Sequence, residues 1–204
     1  MDLRITAYSE LNEKGLYKNG SLLLANATQE PFAQFAKEAY RFLNPAYSKF
    51  YKMDELCKLA FLASEALLME NKTDSRAEGA DIALILGNRS SSVASDLQHY
   101  ETYKDSSNYF PSPAVFVYTL PNIMLGEICI RHQITGENSC FLMLEPDGEF
   151  LYNYVQHLFE QEGYEQCITG WVDYKAGNYV ARLFLVEKAA AKSVVMRKFD
   201  NLFI

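Results

Sequence analysis

The run Asp81-Ile82-Ala83-Leu84-Ile85-Leu86-Gly87 restricts the fold more than any other stretch of the chain, because it is apolar throughout between an aspartate and a glycine. A strand with one wet face alternates polar and apolar residues, so a strand apolar at every position asks for cover on both faces. Helices packed on both sides of a sheet provide that cover, which makes the chain α/β with a parallel core. A helix of the required kind precedes the run. From Met53 to Met69 the apolar positions Leu56, Leu59, Ala60, Leu62, Ala63, Ala66 and Leu67 recur at helical spacing, and Asp54 and Glu55 stand where acidic groups favour a helix N-terminus.

Further elements follow. Cys140 to Leu144 reads as a second buried strand, and Asp147 as the cap of a helix ending near Gly163. That helix gathers Phe150, Leu151, Tyr154, Val155, Leu158 and Phe159 on one stripe, with Glu149, Asn153, Gln156, His157, Glu160 and Gln161 on the other, so one of its faces is wet. Ser112 and Pro113 suit the cap and first position of a helix that Pro121 breaks, and a second helix runs from Pro121 to His132, stopped before Gly136. Leu3 to Tyr8 and Ser21 to Ala25 are short apolar runs of strand character. The segments 166–174 and 179–187 form an antiparallel hairpin around Lys175-Ala176-Gly177-Asn178, with the turn at Gly177-Asn178. No repeat or linker divides the 204 residues, so the expectation is one domain over 1–204, with a mixed, mostly parallel sheet covered by helices and closed by that hairpin.

Charge and motifs exclude several classes of function. With 19 Lys+Arg against 26 Asp+Glu, net −7, the chain lacks the basic excess that binding to phosphate backbones needs, and nucleic acid is not expected as a partner. The start, Met1-Asp2-Leu3-Arg4, has no signal-peptide pattern, and no stretch approaches the roughly 18 apolar residues of a membrane span, so the expected compartment is the cytoplasm. Cys57, Cys129, Cys140 and Cys167 form no CxxC pair, and His99, His132 and His157 form no HxxxH pair; no metal or other cofactor is expected.

One resemblance emerges from the motifs. Tyr51-Lys52-Met53-Asp54 leads the first long helix, and Gly87-Asn88-Arg89-Ser90-Ser91-Ser92 follows the buried strand, with Asp96 just beyond. Then come Ser112-Pro113, Phe116, Pro121-Asn122 and Gly136-Glu137-Asn138. Over residues 50 to 187 the chain resembles the N-terminal half of the β-ketoacyl-acyl-carrier-protein synthases. The resemblance implies a thiolase-like fold, in which two related α/β halves pack together and dimers form across a strand of the N-terminal half. This chain has the length of one half. In the family a catalytic cysteine follows that strand at the start of the next helix, where the helix end lowers its pKa and backbone N–H groups form an oxyanion site. Here the stretch reads Leu144-Glu145-Pro146-Asp147-Gly148-Glu149, and the nucleophile position, about nine residues past Gly136, falls on Glu145. A carboxylate there cannot form the thioester. The family's histidines and lysine belong to the second half, beyond the end of this chain. The family's helix after the nucleophile is also rich in small residues and buried between the halves, unlike the polar stripe of residues 149 to 162.

Other candidates have simpler explanations. Cys140 would need a base such as His132 within reach to act as a nucleophile, while thiols in apolar strands are usually packing residues. Glu145, Asp147 and Glu149 fit capping and dipole compensation. Ser90 to Ser92 lack the glycines and lysine of a phosphate loop, and Arg89 is placed to pair with Asp96. Lys188, Lys192, Arg197 and Lys198 make the tail basic, suited to an acidic carrier protein, and Phe199, Leu202, Phe203 and Ile204 close it with apolar groups. The resulting expectation is a non-catalytic ketosynthase-like accessory protein in acyl-carrier-protein-dependent fatty acid, polyketide or aryl-polyene-type synthesis. It would form a homodimer, or a heterodimer with a full-length ketosynthase, and meet an acyl carrier protein. The alternative is an acyltransferase or 3-oxoacyl synthase activity that uses Cys140 or a partner's nucleophile.

Overall fold

The computed structural model describes residues 3–69, 82–107 and 109–188. Seven strands, β1 (Leu3–Asn12), β2 (Gly15–Lys18), β3 (Ser21–Ala25), β4 (Ile82–Asn88), β5 (Asn138–Leu142), β6 (Gln166–Lys175) and β7 (Asn178–Lys188), form one open sheet in the order β3-β2-β1-β7-β6-β4-β5. The helices are α1 (Phe32–Leu43), α2 (Glu55–Leu68), α3 (Val93–Glu101), α4 (Pro113–Phe116), α5 (Ile123–His132) and α6 (Gly148–Gln161), with 3₁₀ turns at Ser48–Lys52 and Val117–Thr119.

The expected α/β class, the mixed sheet and the β6–β7 hairpin are all present, but the hairpin lies in the middle of the sheet, which stays open rather than being closed by it. The balance of strand directions differs: β4 pairs in parallel with β5 and β6, whereas the other four neighbour pairings are antiparallel. Apolar runs register burial and carry no sign of direction, and short turns between β1, β2 and β3 permit only antiparallel neighbours. Strand β2 and helices α1 and α3 had no sequence signal assigned to them. The long helix from Ser112 is only α4 and a 3₁₀ turn, although Ser112 does cap it, accepting from Val115 N at 3.4 Å.

Two apolar layers sandwich the sheet. Helices α1, α2 and α5 cover one face, and α2 buries eleven of its fourteen residues there. Leu59, Phe61, Leu62 and Leu67 are fully enclosed, each contributing about 1.5–3 kcal/mol relative to an exposed position. Asp54 caps α2, accepting from Cys57 N at 2.8 Å. Helix α6 covers the other face with Leu151, Val155, Leu158 and Phe159, and its polar stripe faces out as its periodicity requires. The β6–β7 turn places Ala176 and Gly177, one residue earlier than expected, at φ 50° and 88°, the left-handed pair of a tight hairpin turn.

Candidate functional site

The chain changes direction at the β4–β5 pair. After β4 it passes to α3, α4 and α5 on the face shared with α2, and after β5 it passes to α6 on the opposite face. The loops at the C-terminal ends of β4 and β5 therefore part from each other, the arrangement that opens a crevice in α/β sheets.

The loop after β4 is fixed from below. Asn88 is buried and donates to Val172 O at 2.7 Å, while its Oδ1 accepts from Ser91 N, where φ is 53°. Asp173 on β6 accepts from Arg89 N at 3.1 Å, Ser90 N at 2.7 Å and Ser90 Oγ at 3.0 Å. Ser92 Oγ donates to Thr119 O at 2.6 Å and lies 3.3 Å from Asp96. The serines are thus engaged in holding the loop, and Asp96 is met by Ser92 rather than by Arg89 as the sequence suggested.

The loop after β5 carries Leu144, Glu145 and Pro146, the stretch in which the resemblance implies a nucleophile. Met143 N donates to Asn88 O at 2.8 Å, which keeps the loop against β4. Gly87 makes this approach feasible, since a Cβ there would run into Met143 Cε and come within 2.8 Å of the Trp171 ring. Leu144 is 85% exposed, Glu145 is exposed beside it, and Pro146 is half-buried. Asp147 is the cap of α6, accepting from Phe150 N at 2.8 Å.

Cys140 and His132 both adjoin the layer built around α2. Cys140 packs against the α2 layer, and burial pushes its thiol up to about 11, which leaves little thiolate at neutral pH. His132 Nε2 lies 3.2 Å from Glu65 and 3.4 Å from Ser64 Oγ. Among the motif residues, Pro113 opens α4, Phe116 is exposed, and Pro121 and Asn122 form the corner before α5, where Asn122 O accepts from Leu125 N and Gly126 N. Gly136 is required by close approach, since a Cβ would lie 2.6 Å from Ile82 O and 2.7 Å from the Tyr164 ring.

Two surface features were not read from the sequence. Among the described residues strand β5 is an edge that pairs only with β4. Of the fifteen large apolar side chains exposed among the described residues, twelve lie between Val93 and Phe150, including Leu97, Tyr100, Phe116, Leu120, Ile130 and Leu144. Apolar residues at outward helical positions of α3 were the available signal. The second feature is a basic and aromatic surface on α1 and the following 3₁₀ turn, with Lys37, Arg41, Lys49 and Lys52 exposed around Phe42 and Tyr51. Lys49 Nζ reaches inward to Glu127 at 2.8 Å, and Glu127 is only 3% exposed. This bond to Glu127 holds the lysine's pKa above its ordinary value and anchors the turn to α5. The basic tail beyond Lys188 lies outside the described residues.

No protein-family model matches the sequence, and no curated protein matches it. Solved structures do. The structure titled the ishigamide ketosynthase/chain length factor superposes at TM-score 0.70 with 18% identity, over 96% of this chain and 65% of that one. The fold is ketosynthase-like. A ketosynthase, ApeO, in complex with its chain length factor ApeC from Xenorhabdus doucetiae matches at TM-score 0.56 and 14% identity, over 94% of this chain and 81% of that one. A type II acyl-carrier protein in complex with its ketosynthase matches at 0.63 and 10% identity, over 92% of this chain and 62% of that one. The chain spans less than two thirds of the first and third of these, and at such identities the likeness establishes the fold: one thiolase-like half. Among the described residues no single helix is long and apolar enough to cross a membrane.

Proposed function

We propose that this chain is a non-catalytic, ketosynthase-like subunit that pairs with a full-length ketosynthase through the β5 edge, in acyl-carrier-protein-dependent assembly of a polyketide or fatty-acid-like chain. The observation that carries this reading is the β5 edge, unpaired among the described residues, within a segment, 93–150, that carries most of the exposed large apolar side chains. An unpaired edge is a template for another strand, and exposed apolar side chains beside it suit a protein contact. The matched structures pair ketosynthases with chain length factors or a carrier protein, which supports the same choice of partner.

The absence of catalysis follows in this reading from Glu145 at the nucleophile position and from the shielded, weakly acidic thiol of Cys140. The basic surface around Lys49 and Lys52 supports contact with an acidic carrier protein, because it is a local reversal of sign on a chain of net charge −7. Co-expression with a full-length ketosynthase from the same source, followed by native mass spectrometry, tests the proposal. A one-to-one complex that Leu144→Lys and Leu142→Lys abolish is the expected result. A homodimer alone, or a complex indifferent to both substitutions, would overturn it, and acyl mass on Cys140 would overturn the non-catalytic part.

A further inference from the structure

A cleft of about 290 Å³ lies between the loops that leave β4 and β5 and the strands β6 and β7. It adjoins the reversal point of the fold, at the C-terminal ends of the parallel strands β4 and β5, where open α/β sheets take small ligands. Its walls are the Trp171 indole, Leu144, Pro146 and Val180. Gly87 lets Trp171 and Met143 close the floor, so that Trp171 is only 5% exposed and fixed in place.

Four charged side chains also line the cleft: Arg89, Arg182, Glu145 and Asp173. Asp173 is committed to the backbone and hydroxyl of the Arg89–Ser90 segment. Arg182 Nε lies 3.2 Å from Glu10 Oε1. Arg89 is exposed, and among the described residues its guanidinium meets no carboxylate at ion-pair distance. The cleft therefore combines an apolar body with one cation whose planar fork is available to a carboxylate.

The geometry points to a binding site for a small amphiphilic carboxylate, its apolar part against Trp171, Leu144 and Pro146 and its charge on Arg89. Such a ligand gives the exposed Arg89 guanidinium a carboxylate partner. Glu145 on the rim opposes the anion and limits affinity. The inference concerns the chain alone and does not depend on pairing with a ketosynthase.

Trp171 is the single tryptophan of the chain, so its indole N–H resonance reports the cleft without ambiguity. The test is a titration of the isotope-labelled full chain with octanoate, with octanol as the uncharged control. Octanoate should shift the Trp171 resonance saturably with Kd on the order of 1 mM, the range open to so small a ligand. Arg89→Gln should weaken binding roughly tenfold, the scale of one charged hydrogen bond, and Glu145→Gln should tighten it. Both side chains are exposed, so both variants keep the fold, which circular dichroism verifies. Absence of a saturable shift with octanoate, equal binding of octanol, or undiminished affinity in Arg89→Gln overturns the inference.

Discussion

Cys140 and Gly136 illustrate how single residues of this chain follow from their surroundings. Burial lifts Cys140 to about 11 from the ordinary thiol value of 9.0, so alkylation by iodoacetamide at pH 7 should be slow and should accelerate toward pH 11. The same shift is a statement about stability. The folded chain keeps this proton where the unfolded chain has released it, so the contribution is complete below pH 9.0 and is lost as the pH rises to about 11. Thermal melts across that interval should show Tm falling, and Cys140→Ala should fall less steeply; equal slopes would mean that the thiol is not shielded. Gly136 is a matter of space. Since a Cβ would press on Ile82 O at 2.6 Å and on the Tyr164 ring at 2.7 Å, Gly136→Ala should cost about 1–3 kcal/mol in urea unfolding, by displacing the start of β5 from β4.

Among the elements, β5 is the one with an unfinished requirement. It pairs with β4 on one side, and Leu142 and Leu144 are exposed at its end. Substituting Leu97 on α3 with Lys should weaken association with a ketosynthase at least about tenfold, as for a central contact residue, and leave the melting temperature of the free chain unchanged. Loss of fold in the free chain would instead assign Leu97 to the core. The elements also differ in how plainly the sequence declares them. The run ending at Gly87, the Asp54 and Asp147 caps and the two stripes of α6 were legible, because burial on two faces, capping and amphipathicity each leave a local pattern. Helix α1 was not recognised, although Phe32, Phe35, Ala36 and Ala39 share one face and Asn44 ends it in the left-handed conformation. The antiparallel majority of the sheet was hidden, because direction is set by which strands meet across the fold. At the candidate site, the Asp147 cap beside Glu145 was legible. The cleft was not, since Trp171, Arg89 and Pro146 come together only through the parallel pairing of three distant strands.

For the molecule as a whole, the decisive property is that this chain closes both faces of its own sheet. Helices α1, α2 and α5 seal one face, and α6 seals the other with a polar stripe outward. Beyond α6, that face of the sheet carries the ion pair Arg182–Glu10 at 3.2 Å. All strands belong to one sheet, and both layers share β4, β6 and β7, so neither layer can be lost without exposing the other's strands. The free chain should therefore unfold in one cooperative transition, with near- and far-ultraviolet circular dichroism coinciding in urea. Partner binding acts on that same transition. A ketosynthase that holds only the folded chain adds stability by mass action, about 2.7 kcal/mol at a free concentration one hundred times Kd. The midpoint measured on the complex should consequently climb with ketosynthase concentration, and Leu144→Lys should abolish the climb without lowering the midpoint of the free chain. Two separate transitions in the free chain would show that the faces fold independently. A midpoint indifferent to ketosynthase would remove the β5 edge as its docking surface.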